Sequence, residues 1–394
     1  MAMRIAILHN FYLGTGGEDV VFHSEAELLR LHGHNVLTYT VSNEIIQQLR
    51  PWQAARLAIW NKGLYAELKQ WFQHHRPDVA HFHNIFFVLS PAAYQAAYDT
   101  GVPVVQTLHN YRLICPAGQL LRQGRPCELC VGKQVPIAGI YYGCYKNRAT
   151  TLTVALHVLK QRWAHQWERV IQIFIALSEF ARQKFIEGGL PADKVVVKPN
   201  FLHSDPGEGE HQGGYALFVG RLSPEKGVEI LLNAWKRVPY SIPLKIVGDG
   251  PLAERVRQAT AEYPHVEWLG HVSRSAVFAL MKEASLLVFP SICYENMSLS
   301  ILEAFATGLP VLATNHGSMA SMIRHGETGW LFEPGNHEAL SEAVHTLWNN
   351  PECLREMGRH ARAEYRKHYT AESNYEQLIT IYKRAIREHG RGNT

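Results

Sequence analysis

Two successive series of short Val/Ile/Leu-rich runs, each run separated from the next by a helical pattern, constrain this fold more than any other feature. The first series occupies residues 4–8, 36–40, 79–83, 104–108 and 173–177; the second occupies 216–219, 244–247, 266–269, 286–289 and 311–314. Such alternation predicts parallel sheets joined by crossover helices, and two series predict two sheets. At 394 residues the chain is long enough for two ordinary domains and too long for one core. The polar, turn-rich stretch 203–214 separates the series and reads as a linker. The expected domains are residues 1–202 and 215–370, followed by a helical pattern over 371–394 that carries Tyr375, Leu378, Ile379 and Tyr382.

Composition narrows the function classes. With 46% hydrophobic and 19% charged residues the chain reads as a soluble globular protein, and a formal charge of +4 is too weak to argue for nucleic acid. That mild basicity suits an anionic ligand or an acidic membrane surface. No run approaches the roughly 20 apolar residues of a membrane span. Residues 1–10 lead straight into a strand-type run without a signal-peptide pattern, so the expected location is cytosolic, with the inner face of a membrane as an extension.

In the second series, the run 286–289 is followed by two carboxylates, Glu295 and Glu303. Residues 291–296 read as a loop, and Ile301, Leu302 and Phe305 as the buried stripe of a helix closed by Gly308. The steps from Glu295 to Glu303 span at most about 12 Å at helical rise, the reach of a nucleotide-sugar. Between them lie the helix's first amides, near Met297, Ser298 and Leu299, a natural seat for phosphate oxygens. Alone, such a pair reads equally well as a solvated helix face. Upstream, Gly220-Arg-Leu-Ser-Pro-Glu-Lys-Gly227 places Arg221 and Lys226 at the carboxyl end of a strand, where open α/β sheets bind ligands.

In the first series, Gly14-Thr-Gly-Gly-Glu-Asp19 follows the opening strand and begins a helix. Gly16 and Gly17 would let backbone amides approach phosphate, although Asp19 stands where a dinucleotide fingerprint has its third glycine; a plain tight turn is the alternative. Glu18 and Asp19 either meet an acceptor's hydroxyls or load the helix's first turn with favourable charge. His81 and His83 share one side of a strand, which suits core pairing or a metal, but two histidines without a third ligand make a thin metal site. His109 ends the run 104–108 beside Asn110 and Tyr111; with 22 histidines in the chain, a satisfied structural residue is the ordinary reading.

Gly220-Arg221-Leu-x-x-Glu-Lys226-Gly227, then Val247-Gly-Asp-Gly250, then Glu295 and Glu303, in that order and spacing, resemble the second domain of glycosyltransferase family 4. The opening Gly-Gly turn, Asp78-Val-Ala-His-Phe-His-Asn84 and Thr107-Leu-His-Asn110 are similar to its first domain. The resemblance implies an α/β GT-B fold, two Rossmann-like parallel-sheet domains facing across a cleft, with the last helix crossing back to the first domain. It implies a retaining transfer of a sugar from a nucleotide-sugar, UDP-linked before GDP-linked, to a glycan or lipid-linked glycan in surface polysaccharide synthesis. Glu295, His109, Arg221 and Lys226 would be catalytic. Gly16, Gly17, Arg221, Lys226, Met297, Ser298, Leu299 and Glu303 would bind the donor, and Glu18, Asp19 and His83 the acceptor. No Asp-x-Asp occurs in the sequence, so no catalytic cofactor is expected. Family members commonly carry Gly-Phe-Gly-x-Pro after the first acid, or a Glu-Asn-Met-Pro variant; this chain has Asn296-Met-Ser-Leu-Ser300, with Ser298 the local departure. The rivals are a GT-B-fold nucleotide-sugar epimerase and a nucleotide-sugar-binding protein without turnover.

Cys115, Cys127, Cys130 and Cys144 lie within one weakly periodic stretch and could close a tetrahedral structural zinc site; free thiols and disulfides are the alternatives. Residues 50–76, with Trp52, Arg56, Trp60, Lys62, Lys69 and Trp71, and residues 148–169, with Lys160, Arg162 and Trp163, interleave aromatic and basic side chains. Such helices either rest on a membrane interface or bury Trp while Lys and Arg face water.

Overall fold

The computed structural model describes residues 2–14 and 16–392. It divides into two compact units: Met1–Leu120, Glu128–His203 and Ala371–Thr394 form the first, and Leu121–Cys127 with Ser204–Thr370 form the second. The strands are β1 (Arg4–Phe11), β2 (Asn35–Ser42), β3 (Val79–Asn84), β4 (Val104–Leu108), the short pair β5 (Leu121–Arg122) and β6 (Arg125–Pro126), β7 (Ile171–Ala176), β8 (Val195–Val197), β9 (Ala216–Val219), β10 (Leu244–Val247), β11 (Val266–Gly270), β12 (Leu286–Phe289), β13 (Val311–Thr314) and β14 (Gly329–Phe332). β8 and β14, each the last strand of its sheet, were not anticipated from the apolar runs.

The first unit's six-stranded sheet has the order β2-β1-β3-β4-β7-β8, and the second's has β11-β10-β9-β12-β13-β14. Every pairing in both is parallel. A strand covered by helices on both faces must be apolar at every position, which is why these segments read as continuous Val/Ile/Leu runs. In the first core, Ile5, Ile7, Phe22, Leu29, Val105 and Ile173 pack with Leu378 and Tyr382 of the helix Ala371–Gly392. That helix therefore belongs to the first unit. Burying each such side chain contributes about 1.5–3 kcal/mol.

Strand order locates the sites. In the first sheet it reverses between β1 and β3, and in the second between β9 and β12. Where order reverses, the connections leave toward opposite faces, opening a crevice at the strands' carboxyl ends. Asn84 ends β3, and the segments after β1, β9 and β12 carry Gly16 to Asp19, Arg221 to Lys226, and Glu295.

The stretch 203–214, read as a linker, is bonded to main chain of the second unit. Gly209, His211 and Gly213 donate main-chain hydrogen bonds to Thr307, Lys282 and Glu283 at 3.0, 2.8 and 2.8 Å. Asp205 is paired with Arg362 at 2.7 Å. A Cβ on Gly209 would stand 2.2 Å from the Lys282 carbonyl oxygen, so its glycine permits contact rather than flexibility. The segment is a strap on the second unit, and its polar composition reflects hydrogen bonding to main chain.

Candidate active site

In the second unit, Gly220 and Arg221 leave β9, and a short 3-10 turn, Pro224–Lys226, leads to Gly227 and the helix Val228–Trp235. Gly227 has φ +73°, and a Cβ there would meet the Pro290 carbonyl oxygen at 1.9 Å. Only glycine lets the β9 turn lie directly against the end of β12. The two loops are then laced together: the Ile292 amide donates to the Glu225 carbonyl at 2.9 Å. This brings Lys226 Nζ to 2.7 Å from Glu295 Oε1, with the Ser291 hydroxyl also 2.7 Å from that oxygen.

Burial opposes ionisation of both partners, but each overcomes it through the other. Glu295 is held below the usual carboxylate range by Lys226, and Lys226 is raised by Glu295. Both side chains keep some exposure, 26% for Lys226 and 13% for Glu295, so an arriving ligand can reach them. Arg221 is exposed. The helix Leu299–Thr307 begins just beyond Glu295, and Ser298 is its N-cap, its hydroxyl accepting from the Ile301 amide. The departure at Ser298 thus has a local reason, since Ser is a favoured cap. Glu303 sits in the second helical turn, 3.3 Å from Arg274, and burial raises its pKa despite that arginine. Arg274 escaped sequence reading; its signal is the N-cap Ser273 that puts it in the first turn of the helix Arg274–Glu283.

In the first unit, the helix Gly17–Leu31 starts from Gly16, whose amide donates to Asp19 Oδ2 at 2.8 Å, while Asp19 Oδ1 lies 2.7 Å from His9 Nε2. Asp19 is buried and both its oxygens are engaged inside the fold, so the expected acceptor contact gives way to a turn-holding role. Glu18 stays half-buried beside it. Burial, then Asp19, pushes its carboxyl up to about 8, against the opposing pull of Arg112 and Asn110. Arg112 is itself enclosed by the rings of Phe86, Tyr145 and Tyr12 at 4.4, 5.2 and 5.9 Å.

His83 is also turned inward. Its Nδ1 lies 3.0 Å from His109 Nε2 and its Nε2 lies 3.3 Å from Glu25 Oε2, which replaces the expected acceptor contact. His109 remains half-buried at the end of β4. Glu25 and Lys198, which complete this cluster, were missed from sequence. Glu25 was detectable as a carboxylate inside the helix's buried stripe of Val21, Phe22, Ala26, Leu28 and Leu29. Glu25, His81 and His83 bring donor atoms to metal-ligand spacing, as do His9, Glu18 and Asp19. In the first cluster Lys198, 2.7 Å from Glu25, already supplies the positive charge. Among the described residues Cys115, Cys130 and Cys144 do not form such a group, Cys127 falls in the second unit, and no disulfide joins the six cysteines. Nor is any described helix long and apolar enough to cross a membrane.

Comparison with known proteins places the chain in a family. Residues 15–205 match the profile of Glycosyltransferase Family 4, and residues 205–364 match that of Glycosyl transferases group 1. The chain is 34% identical to D-rhamnosyltransferase WbpZ of Pseudomonas aeruginosa over 54% of its own length and 58% of the relative's. It is 31% identical to phosphatidyl-myo-inositol mannosyltransferase of Mycobacterium leprae over 60% of its own length and 65% of the relative's. It thus spans between 58% and 65% of these curated relatives. Anabaena Alr3699/HepE, solved in complex with UDP, superposes with a TM-score of 0.68 at 18% identity, covering 96% of this chain and 99% of that one. Sucrose-phosphate synthase of Thermosynechococcus elongatus superposes with a TM-score of 0.70 at 17% identity, covering 98% and 100%. The chain belongs to the family 4 glycosyltransferases of GT-B fold.

Proposed function

We propose that the chain transfers a sugar from a nucleoside-diphosphate donor, a UDP-sugar first, to a hydroxyl of a glycan or lipid-linked glycan, with retention of configuration. The observation that carries this reading is the part-exposed Lys226–Glu295 pair at the switch point of the second sheet, just before the N-terminus of the helix Leu299–Thr307. Breaking the bond between the sugar's anomeric carbon and the diphosphate leaves negative charge on phosphate oxygens. Arg221, Lys226 and the helix's positive end are suited to stabilise that charge as it develops. The acceptor oxygen bonds to the anomeric carbon, and its proton passes to the departing phosphate. Glu295 accepts hydrogen bonds from the sugar's hydroxyls, Glu303 from the ribose, and His109 orients the sugar. In this scheme the side chains and helix amides carry the charge stabilisation, so the transfer is metal-independent.

UDP is favoured because structural neighbours were solved with it: HepE with UDP and with UDP-glucose, TarM with UDP. Relatives with names such as O-antigen chain mannosyltransferase C and amylovoran biosynthesis glycosyltransferase AmsK support a place in surface polysaccharide synthesis. A lipid-linked acceptor implies work at the cytoplasmic face of a membrane. Peripheral contact is supported by the exposure of Trp52, Ile137, Tyr141 and Trp163 near Arg50, Arg148 and Lys160.

The test is thermal unfolding with UDP, GDP and ADP, each with and without a chelator. A ligand that binds only the native state raises its stability. A chelator-insensitive rise with UDP is expected; no rise with any nucleotide at millimolar concentration would remove the donor-site assignment.

A further inference from the structure

The first unit buries a complete ion pair in its core. Glu25 Oε1 lies 2.7 Å from Lys198 Nζ, and neither side chain has solvent exposure. The other oxygen, Oε2, has no aligned hydrogen-bond partner and faces His83 Nε2 at 3.3 Å and His81 Nδ1 at 3.6 Å. Such pairs add little net stability over apolar residues of the same volume, so the arrangement calls for another account.

Charge fixes the proton positions. Lys198 and Glu25 cancel, and an imidazolium beside them would be an uncompensated buried charge. Burial, reinforced by His83, holds His109 well below the usual imidazole range, and burial does the same to His81. A carboxylate oxygen facing a bare imidazole nitrogen would oppose two lone pairs, so His83 carries its proton on Nε2. Its Nδ1 is then an acceptor, and His109 Nε2, 3.0 Å away, is the donor. His81 does not compete, because its two nitrogens lie 2.8 Å from the hydroxyls of Tyr382 and Thr107.

We infer that the buried Lys198–Glu25–His83 chain is a positioning device that locks His109 as its Nε2–H tautomer, leaving Nδ1 to accept a hydrogen bond from a donor-sugar hydroxyl. Only the last step rests on the transferase reading. Three groups far apart in sequence, from the helix Gly17–Leu31, from β3 and from the segment after β8, thereby determine what one ring at the end of β4 can offer a ligand.

Nitrogen NMR of the full chain with labelled histidine tests this, with His83→Asn and His109→Asn used to identify the two rings. The native chain should show His109 in one tautomer, protonated at Nε2, unchanged between pH 6 and 8. The double variant Glu25→Leu/Lys198→Met removes both charges and the acceptor oxygen together; it should unfold cooperatively and show His109 as a mixture of tautomers. Its UDP release from UDP-glucose should have kcat reduced about tenfold, with KM nearly unchanged. A native His109 protonated at Nδ1, a titrating imidazolium, or a folded double variant with an unchanged His109 spectrum would overturn the lock. The expected tautomer without UDP release by the native chain would uphold the lock and remove the transferase assignment.

Discussion

The two units hold their charges under opposite conditions. In the first, Lys198 and Glu25 have no exposure; they pair with each other, Glu25 faces buried histidines, and Lys198 also donates to the Pro199 carbonyl. In the second, the Lys226 and Glu295 side chains are 26% and 13% exposed, and Arg274, the partner of Glu303, is 47% exposed. A fully buried pair has no partner in solvent to turn to and therefore fixes geometry. A part-exposed pair already assembled at a strand end can exchange one partner for a phosphate or a hydroxyl. The first unit thus encloses its ion pair in the core, and the second leaves its ion pairs open to solvent.

The largest effect should come from breaking the enclosed pair on one side. Lys198→Met leaves Glu25 buried without a counter-charge and should lower stability by about 3–5 kcal/mol, whereas Glu25→Gln/Lys198→Met should recover most of it. Denaturant unfolding of both variants decides, and equal losses would mean that packing rather than charge is at work. Next comes Lys226→Ala, for which turnover of a UDP-sugar should fall by about 10²–10³ with little change in the unfolding midpoint. If its stability fell as far as that of Lys198→Met, the contrast between the units would collapse.

A smaller effect is expected at Glu303. Glu303→Gln should weaken UDP binding by roughly tenfold, read as a reduced UDP-induced thermal shift, because a charged acceptor for ribose hydroxyls becomes a neutral one. The smallest effect concerns pH, and it runs in opposite directions in the two units. Glu18 has a folded pKa near 8, above its ordinary 4.5, so its contribution is fully present below pH 4.5 and is lost as pH rises through about 8. Glu18→Gln should flatten that decline in the unfolding midpoint. Glu295 is held below its ordinary value, so its contribution is present above that value and lost as pH falls through the folded pKa. Glu295→Gln should flatten the acid side instead; a variant that flattened the other side would reverse the assignment.

Much of this was legible in the chain, and the reasons are local. The apolar runs marked β1, β3, β4, β7, β9, β10, β12 and β13 because strands covered on both faces are largely apolar, and marked β2 and β11 although these are partly exposed. Gly308 marked the end of its helix because its positive φ excludes most other residues. The positions of Arg221, Lys226, Glu295 and Glu303 were readable because each lies in the turn after a strand or in the first turns of a helix. What was missed depended on distant partners. Asp19 and His83 looked available to a ligand until His9, Gly16, His109 and Glu25 were seen to occupy them. The main-chain hydrogen bonds that tie the stretch 203–214 to Lys282, Glu283 and Thr307 leave no trace in side-chain type.

The sequence by itself determined the two parallel-sheet domains and which charged residues stand at the ends of their strands, because hydrophobic period and backbone conformation are short-range properties. Only the tertiary structure decided which charges are enclosed and which stay part-exposed. Lys198 meets Glu25 across a separation of 173 residues, and Lys226 meets Glu295 across 69. An ion pair's role depends on its burial and its partner, and both arise only when separate strands and helices pack together.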